Sequence, residues 1–146
     1  MKNLASILLL TLFILSCNSG PVKIIYNEDE CYACKMIISD ARFGSELITT
    51  KGRVYKYDAI ECMLSDLSKN GLDHYEHILV TSFLKPNILF DAREAIYVIS
   101  KEMPSPMGAY LNAFESEEAA LQTLGQATGQ MYTFDEIREV DLMLFD

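Results

Sequence analysis

The sequence predicts an α+β fold made of two small duplicated strand-strand-helix units, and three observations carry that reading. The β-branched and aromatic runs Glu46 to Thr50 and Arg53 to Tyr57 flank Lys51-Gly52, the signature of a hairpin. The apolar positions Ile60, Met63, Leu64 and Leu67 then fall on one helical stripe. A second strand-to-helix junction, Phe114-Glu115-Ser116, echoes Tyr57-Asp58-Ala59, and a Met-bearing turn precedes each unit, Met36 in the first and Met103 or Met107 in the second.

Each element has its own cue. Asp58 offers an N-cap to the first helix with Glu61 three residues on, the pattern of a capping box, and Asn70-Gly71 stops that helix. His77 to Leu84 reads as a strand ended by Pro86-Asn87, and Ala95 to Ser100 as another. After the loop bearing Pro104 and Pro106, Ala109 to Phe114 reads as a strand. Ser116 caps a second helix through about Ala127, with Ala119, Ala120, Leu121 and Leu124 on its buried stripe and Gly129 at its end. Met131 to Thr133 reads as a short strand, with a last helical turn from Asp135. Met131 and Met143 read as core or end packing.

Ahead of the domain, Lys2 and the apolar run from Leu4 to Ile14 read as a signal peptide over residues 1–16, too short to span a bilayer and stay. Ile14-Leu15-Ser16-Cys17 has the form of a bacterial lipobox, which predicts lipidation of Cys17 and anchoring to a membrane. Residues 17–26 then form a tether, and 27–146 the domain, with halves of about 27–78 and 79–146. The chain carries a net charge of −9. It lacks the clustered Lys and Arg that phosphate binding needs, which argues against nucleic acid as a partner.

With Cys17 lipidated, Cys31, Cys34 and Cys62 remain, an odd count in an exported chain that cannot be fully paired. Two thiols and a thioether lie together in Cys31-Tyr32-Ala33-Cys34-Lys35-Met36, and another thioether stands in the turn Ser105-Pro106-Met107-Gly108. Thiolate and thioether select Cu(I) by softness, whereas zinc takes thiolate and imidazole and hard cations take oxygen. The expected Cu(I) ligands are therefore Cys34, Met36 and Met107. Cys31 is a further ligand, an exchange ligand or a disulfide partner. Cys62, beside Met63 and Leu64, reads first as core and only second as a metal ligand. His74 and His77 follow a helix stop and read as a polar connector, and Glu115, Glu117 and Glu118 as a solvated helix start.

Two other functions compete. Cys31 and Cys34 could form a thiol-disulfide oxidoreductase motif, but Glu28, Asp29 and Glu30 precede it, and neighbouring carboxylates disfavour a thiolate. The three cysteines with a His could hold structural zinc, which leaves Met36 and Met107 without a role.

Taken in order, the Cys31–Met36 segment, Asp91-Ala92-Arg93-Glu94-Ala95-Ile96-Tyr97-Val98, the Pro106-Met107-Gly108 turn and the run from Gly129 to Ile137 resemble the NosL family of nitrous oxide reductase accessory lipoproteins. Lys35 stands where that family usually has Gly, and Ser82-Phe83 where an Asp-aromatic pair is common. The resemblance implies a pair of small α+β units similar to the organomercurial lyase accessory fold, and a non-catalytic periplasmic chaperone on a lipid anchor. It also implies delivery of Cu(I) to the nitrous oxide reductase apoprotein and its membrane ABC-type assembly complex.

Overall fold

The computed structural model describes residues 20–142, so the signal peptide, the lipobox with Cys17, and Met143 lie outside the described residues. Two antiparallel sheets share the fold. The first is formed by β1 (Ser45–Thr49), β2 (Val54–Tyr57), β3 (Tyr75–Ser82) and β4 (Lys85–Asp91) in the order β2-β1-β3-β4. The second is formed by β5 (Ile96–Ile99), β6 (Leu111–Phe114) and β7 (Gln130–Tyr132) in the order β6-β5-β7. Helix α1 (Ile60–Asn70) follows β2, α2 (Glu117–Leu124) follows β6, and the short α3 (Phe134–Ile137) follows β7.

The hairpin forms as its sequence dictates. Leu47 pairs with Tyr55, Gly52 adopts φ 81°, and its N–H donates to the Thr49 carbonyl at 2.8 Å, a turn that a side chain at that φ would strain. Because β1 is an interior strand, all five of its residues are buried, Glu46 included. Glu46 Oε2 accepts from the Val22 N–H, and burial pushes its carboxyl up to about 7.

The region around Pro86-Asn87 departs from the sequence reading. Strand β3 ends at Ser82, and Pro86 and Asn87 lie inside β4, a strand the sequence reading did not contain. The physical reason is position: β4 is an edge strand, where a proline's missing N–H can be tolerated. The register shifts between Thr81 and Ser82, and Asn87 takes φ 68° and donates its N–H to the Ala41 carbonyl. The first helix also begins differently. Its N-cap is Ala59, with no side-chain cap; Asp58 accepts instead from the Ser39 N–H, and Glu61 is buried under a loop. The expected capping box is absent because tertiary partners claim both carboxylates. Gly71 ends the helix as expected, its N–H reaching the Leu67 carbonyl.

One hydrophobic core spans both sheets. It joins Leu47, Tyr57 and Ile78 of the first sheet to Tyr97 and Leu111 of the second, and Met63, Leu67, Phe134 and Ile137 fill it from the helices. A backbone bond from the Phe83 N–H to the Ala113 carbonyl, 2.8 Å, ties the end of β3 to β6. Helix α2 covers a smaller cluster of Val98, Phe114, Ala120 and Leu124. Ser116 caps it, accepting from the Ala119 N–H, but it ends at Gly125 (φ 56°) rather than running to Ala127 and Gly129. Leu121 is exposed, so the buried stripe is narrower than its periodicity suggests. Met131 is likewise exposed at 37%, on the edge strand β7, so of its two readings, core or end packing, core does not hold.

Chemical denaturation of two point variants checks this packing. Leu124→Ala should cost about 2 kcal/mol or more through the cavity it leaves. Leu121→Ala should stay within about 0.5 kcal/mol of the unaltered protein. Equal losses would show that α2 buries a different face.

Candidate metal centre

The Cys31–Met36 segment is a turn fixed from both sides. Across its base, the Asn27 N–H donates to the Ile38 carbonyl and the Ile38 N–H to the Asp29 carbonyl. At its tip, the Cys31 N–H reaches the Met36 carbonyl at 2.8 Å and the Lys35 N–H returns to the Cys31 carbonyl at 3.0 Å. The Tyr32 N–H binds the Lys56 carbonyl of β2, and Lys56 Nζ pairs with Asp29 at 2.6 Å, so the turn is stitched to the sheet edge. Lys35 adopts φ 64°, the left-handed conformation a glycine would take without cost. Its ammonium compensates locally, donating to the Tyr32 carbonyl at 2.6 Å and lying 4.7 Å from the Tyr32 ring centroid.

This turn sets Cys31 and Cys34 against the first turn of α1, where Cys62 points back at them. The three sulfurs lie within 4.8 Å of one another, and all three thiols are free. A metal bound at about 2.3 Å to each of three thiolates in one plane needs sulfurs about 4.0 Å apart, so the trio is within about 1 Å of coordination geometry. Cys31 and Cys62 are buried and Cys34 is half-buried. The cluster is thus a closed pair with one thiol towards the surface.

The protons are unevenly shared. Cys31 is held down to about 4, chiefly by a hydrogen bond from the Cys62 thiol and further by the backbone N–H groups of Cys34 and Asp58. Donating that bond pushes the Cys62 thiol up, and burial raises Cys34. The hydrogen bonding therefore favours the anion at Cys31 over the thiols beside it. This direction runs against the expectation that Glu28, Asp29 and Glu30 would suppress a thiolate here: the Cys62 and Cys34 thiols and the Cys34 and Asp58 N–H groups all favour the anion, and Asp29 is itself paired with Lys56. The arrangement still runs against thiol-disulfide catalysis, which needs the accessible sulfur to be the reactive anion. Here the anion is buried and the more exposed thiol is protonated.

A cavity of about 470 Å³ opens beside the cluster, lined by Cys34, Cys62 and Glu61, by Met107 and Ala109, and by Ile137, Val140 and Leu142. Met107, 38% exposed, therefore stands at the same opening as Cys34. Met36 is 53% exposed, and its side chain does not line this cavity. Cys62, read first as core, is both: it packs in the main core and its sulfur joins the cluster. No signal within the helix distinguishes it, since only the tertiary turn brings the other two sulfurs to it. Neither His74 nor His77 belongs to the cluster. His74 packs edge-on against Tyr75, and His77 lies 4.0 Å from Glu76. Among the described residues the group is made of cysteines alone, so the four-ligand closure usual for structural zinc is not in place.

A buried trithiol cluster at the mouth of a cavity in a small α+β domain defines a protein equipped for a soft metal ion. The chain belongs to the NosL family, whose model matches residues 21–142. It is 32% identical over 120 residues to the copper-binding lipoprotein NosL of Stutzerimonas stutzeri, covering 77% of this chain and 63% of that relative's length. Its fold is similar to the crystal structure of the copper chaperone NosL from Shewanella denitrificans, with a TM-score of 0.69 at 23% identity, covering 83% of this chain and 97% of the other. Among the described residues no helix is long and apolar enough to cross a membrane.

The thiolate assignment has a direct optical test. With the pKa of Cys31 lowered, its anion is present above that value and lost only as pH falls through about 4. Ultraviolet thiolate absorbance of one sulfur should therefore persist at neutral pH and vanish in Cys31→Ser, and Cys62→Ala, which removes the donor, should shift its loss to higher pH. An absorbance that appears only in the alkaline range would contradict the assignment.

Proposed function

We propose that this protein is a lipid-anchored periplasmic metallochaperone that carries Cu(I) and hands it on for assembly of the copper-sulfide centre of nitrous oxide reductase. Family membership supports the chaperone role, and the lipobox ending at Cys17, with a curated relative named a lipoprotein, supports the anchor. The acceptors follow from the same reading: the reductase apoprotein and its membrane ABC-type assembly complex. The observation that carries the cargo is the trio of free sulfurs within 4.8 Å, opening through Cys34 onto a cavity that Met107 also lines.

The chemistry suits transfer. Cys31 supplies a ready thiolate, and copper binding displaces protons from Cys34 and Cys62 as they become ligands. Cys34 is the shared position: inward it completes a set with Cys31 and Cys62, and outward it shares the cavity with Met107. Thioethers bind Cu(I) without carrying charge or a proton, so Met107 and the exposed Met36 serve as weaker auxiliary donors on the open side of the cysteine set, adding to affinity as well as receiving and releasing the ion. A partner's ligand approaches from that open side and replaces them one bond at a time.

The experiment is an anaerobic Cu(I) titration of the form beginning at Gly20, which carries the whole described fold, against a chromophoric competitor. One equivalent should bind, Cys34→Ser should abolish tight binding, and Met107→Leu and Met36→Leu should weaken it while zinc fails to displace the copper. Stoichiometric binding that ignores Cys34, or displacement by equimolar zinc, would rule the reading out.

A further inference from the structure

Glu61 stands one residue before Cys62 on α1 and is 9% exposed. Its Oε1 accepts a hydrogen bond from the Ser105 hydroxyl, and burial pushes the carboxyl up, opposed by Ser105 and, more weakly, by the nearby Ala109 backbone. Ser105 Oγ in turn accepts from the Leu111 N–H at 3.3 Å, and the Gly108 N–H closes on the Ser105 carbonyl at 3.1 Å. Ser105 and Ala109 stand two residues on either side of Met107. One carboxyl group on the helix thus grips, at Ser105, the turn that carries the thioether, while the adjacent residue of the helix supplies a cysteine of the cluster.

Burying a carboxylate is unfavourable, and here its Oε2 has no hydrogen-bond partner at all. An apolar side chain would pack this space at lower cost, so stability alone is a poor reason for the arrangement. What a carboxylate adds is direction: it fixes the approach of the Ser105–Ala109 turn to α1, as outer groups fix the ligands of metal centres. We propose that Glu61 is a positioning residue that docks the Met107 turn against the cysteine cluster, so that copper affinity depends on Glu61 through Met107. This inference rests on the copper reading above.

A double-mutant cycle separates the two. Glu61→Ala, Ser105→Ala, Met107→Leu and the Glu61→Ala/Met107→Leu pair are compared by anaerobic Cu(I) competition, with thermal unfolding of the metal-free forms beside them. Glu61→Ala and Ser105→Ala should each weaken Cu(I) binding about 10- to 100-fold. Adding Met107→Leu to Glu61→Ala should cost little more, because the thioether has already been displaced. Glu61→Gln keeps an oxygen to accept from Ser105 and should restore affinity to near the unaltered value. If Glu61→Ala fails to fold, Ser105→Ala with and without Met107→Leu gives the same cycle. Losses that simply add, or variants that lower the melting temperature and leave copper affinity alone, overturn the role of Glu61 and leave the copper reading standing. Failure of the unaltered protein to bind Cu(I) overturns both.

Discussion

The site depends on how the Cys31–Met36 turn is pinned to β2. The Tyr32 N–H to Lys56 carbonyl bond and the Lys56–Asp29 ion pair hold the turn at the sheet edge. The β2 strand runs directly into α1, so the same short stretch of chain places Cys62 opposite Cys31. The cluster is therefore a consequence of two local structures sharing one strand. The long-range folding contacts and the sulfur contacts are the same contacts, which is why Cys31 and Cys62 also count among the core residues.

Polar groups that local rules assign to helix capping are used here to build the site. Asp58 accepts from Ser39 and lends its backbone N–H to Cys31; Glu61 leaves the helix start to hold the Ser105–Ala109 turn. Helix α1 consequently begins without a side-chain cap, a loss of about 1 kcal/mol by the usual measure. A conflict between local preference and tertiary use is expected where a functional site is built.

Legibility in the sequence followed the same division. The hairpin at Lys51-Gly52, the Gly71 stop and the Ser116 cap were readable because each is settled by residues a few positions apart. The sulfur residues around Cys34 and Met107 were readable as a soft-donor pattern, though not as to which of the sulfurs meet. Cys62 was not, since within α1 it looks like any apolar helix position, and its meaning arises from a turn thirty or so residues away. Strand β4 was hidden because Pro86 speaks against a strand unless its edge position is known. The lowering of Cys31 is hidden for a related reason: sequence proximity shows its acidic neighbours but not the thiols and backbone N–H groups that the fold aims at its sulfur.

The central claim is that the three cysteine sulfurs act together on one copper ion. X-ray absorption at the copper edge of the reduced protein loaded with one equivalent of Cu(I) tests it most directly. The account predicts a first shell of sulfur alone, about three neighbours at near 2.3 Å, and a shell with fewer sulfurs when Cys62 is replaced by Ser. A shell containing nitrogen or oxygen, or one unchanged by the loss of Cys62, would contradict it.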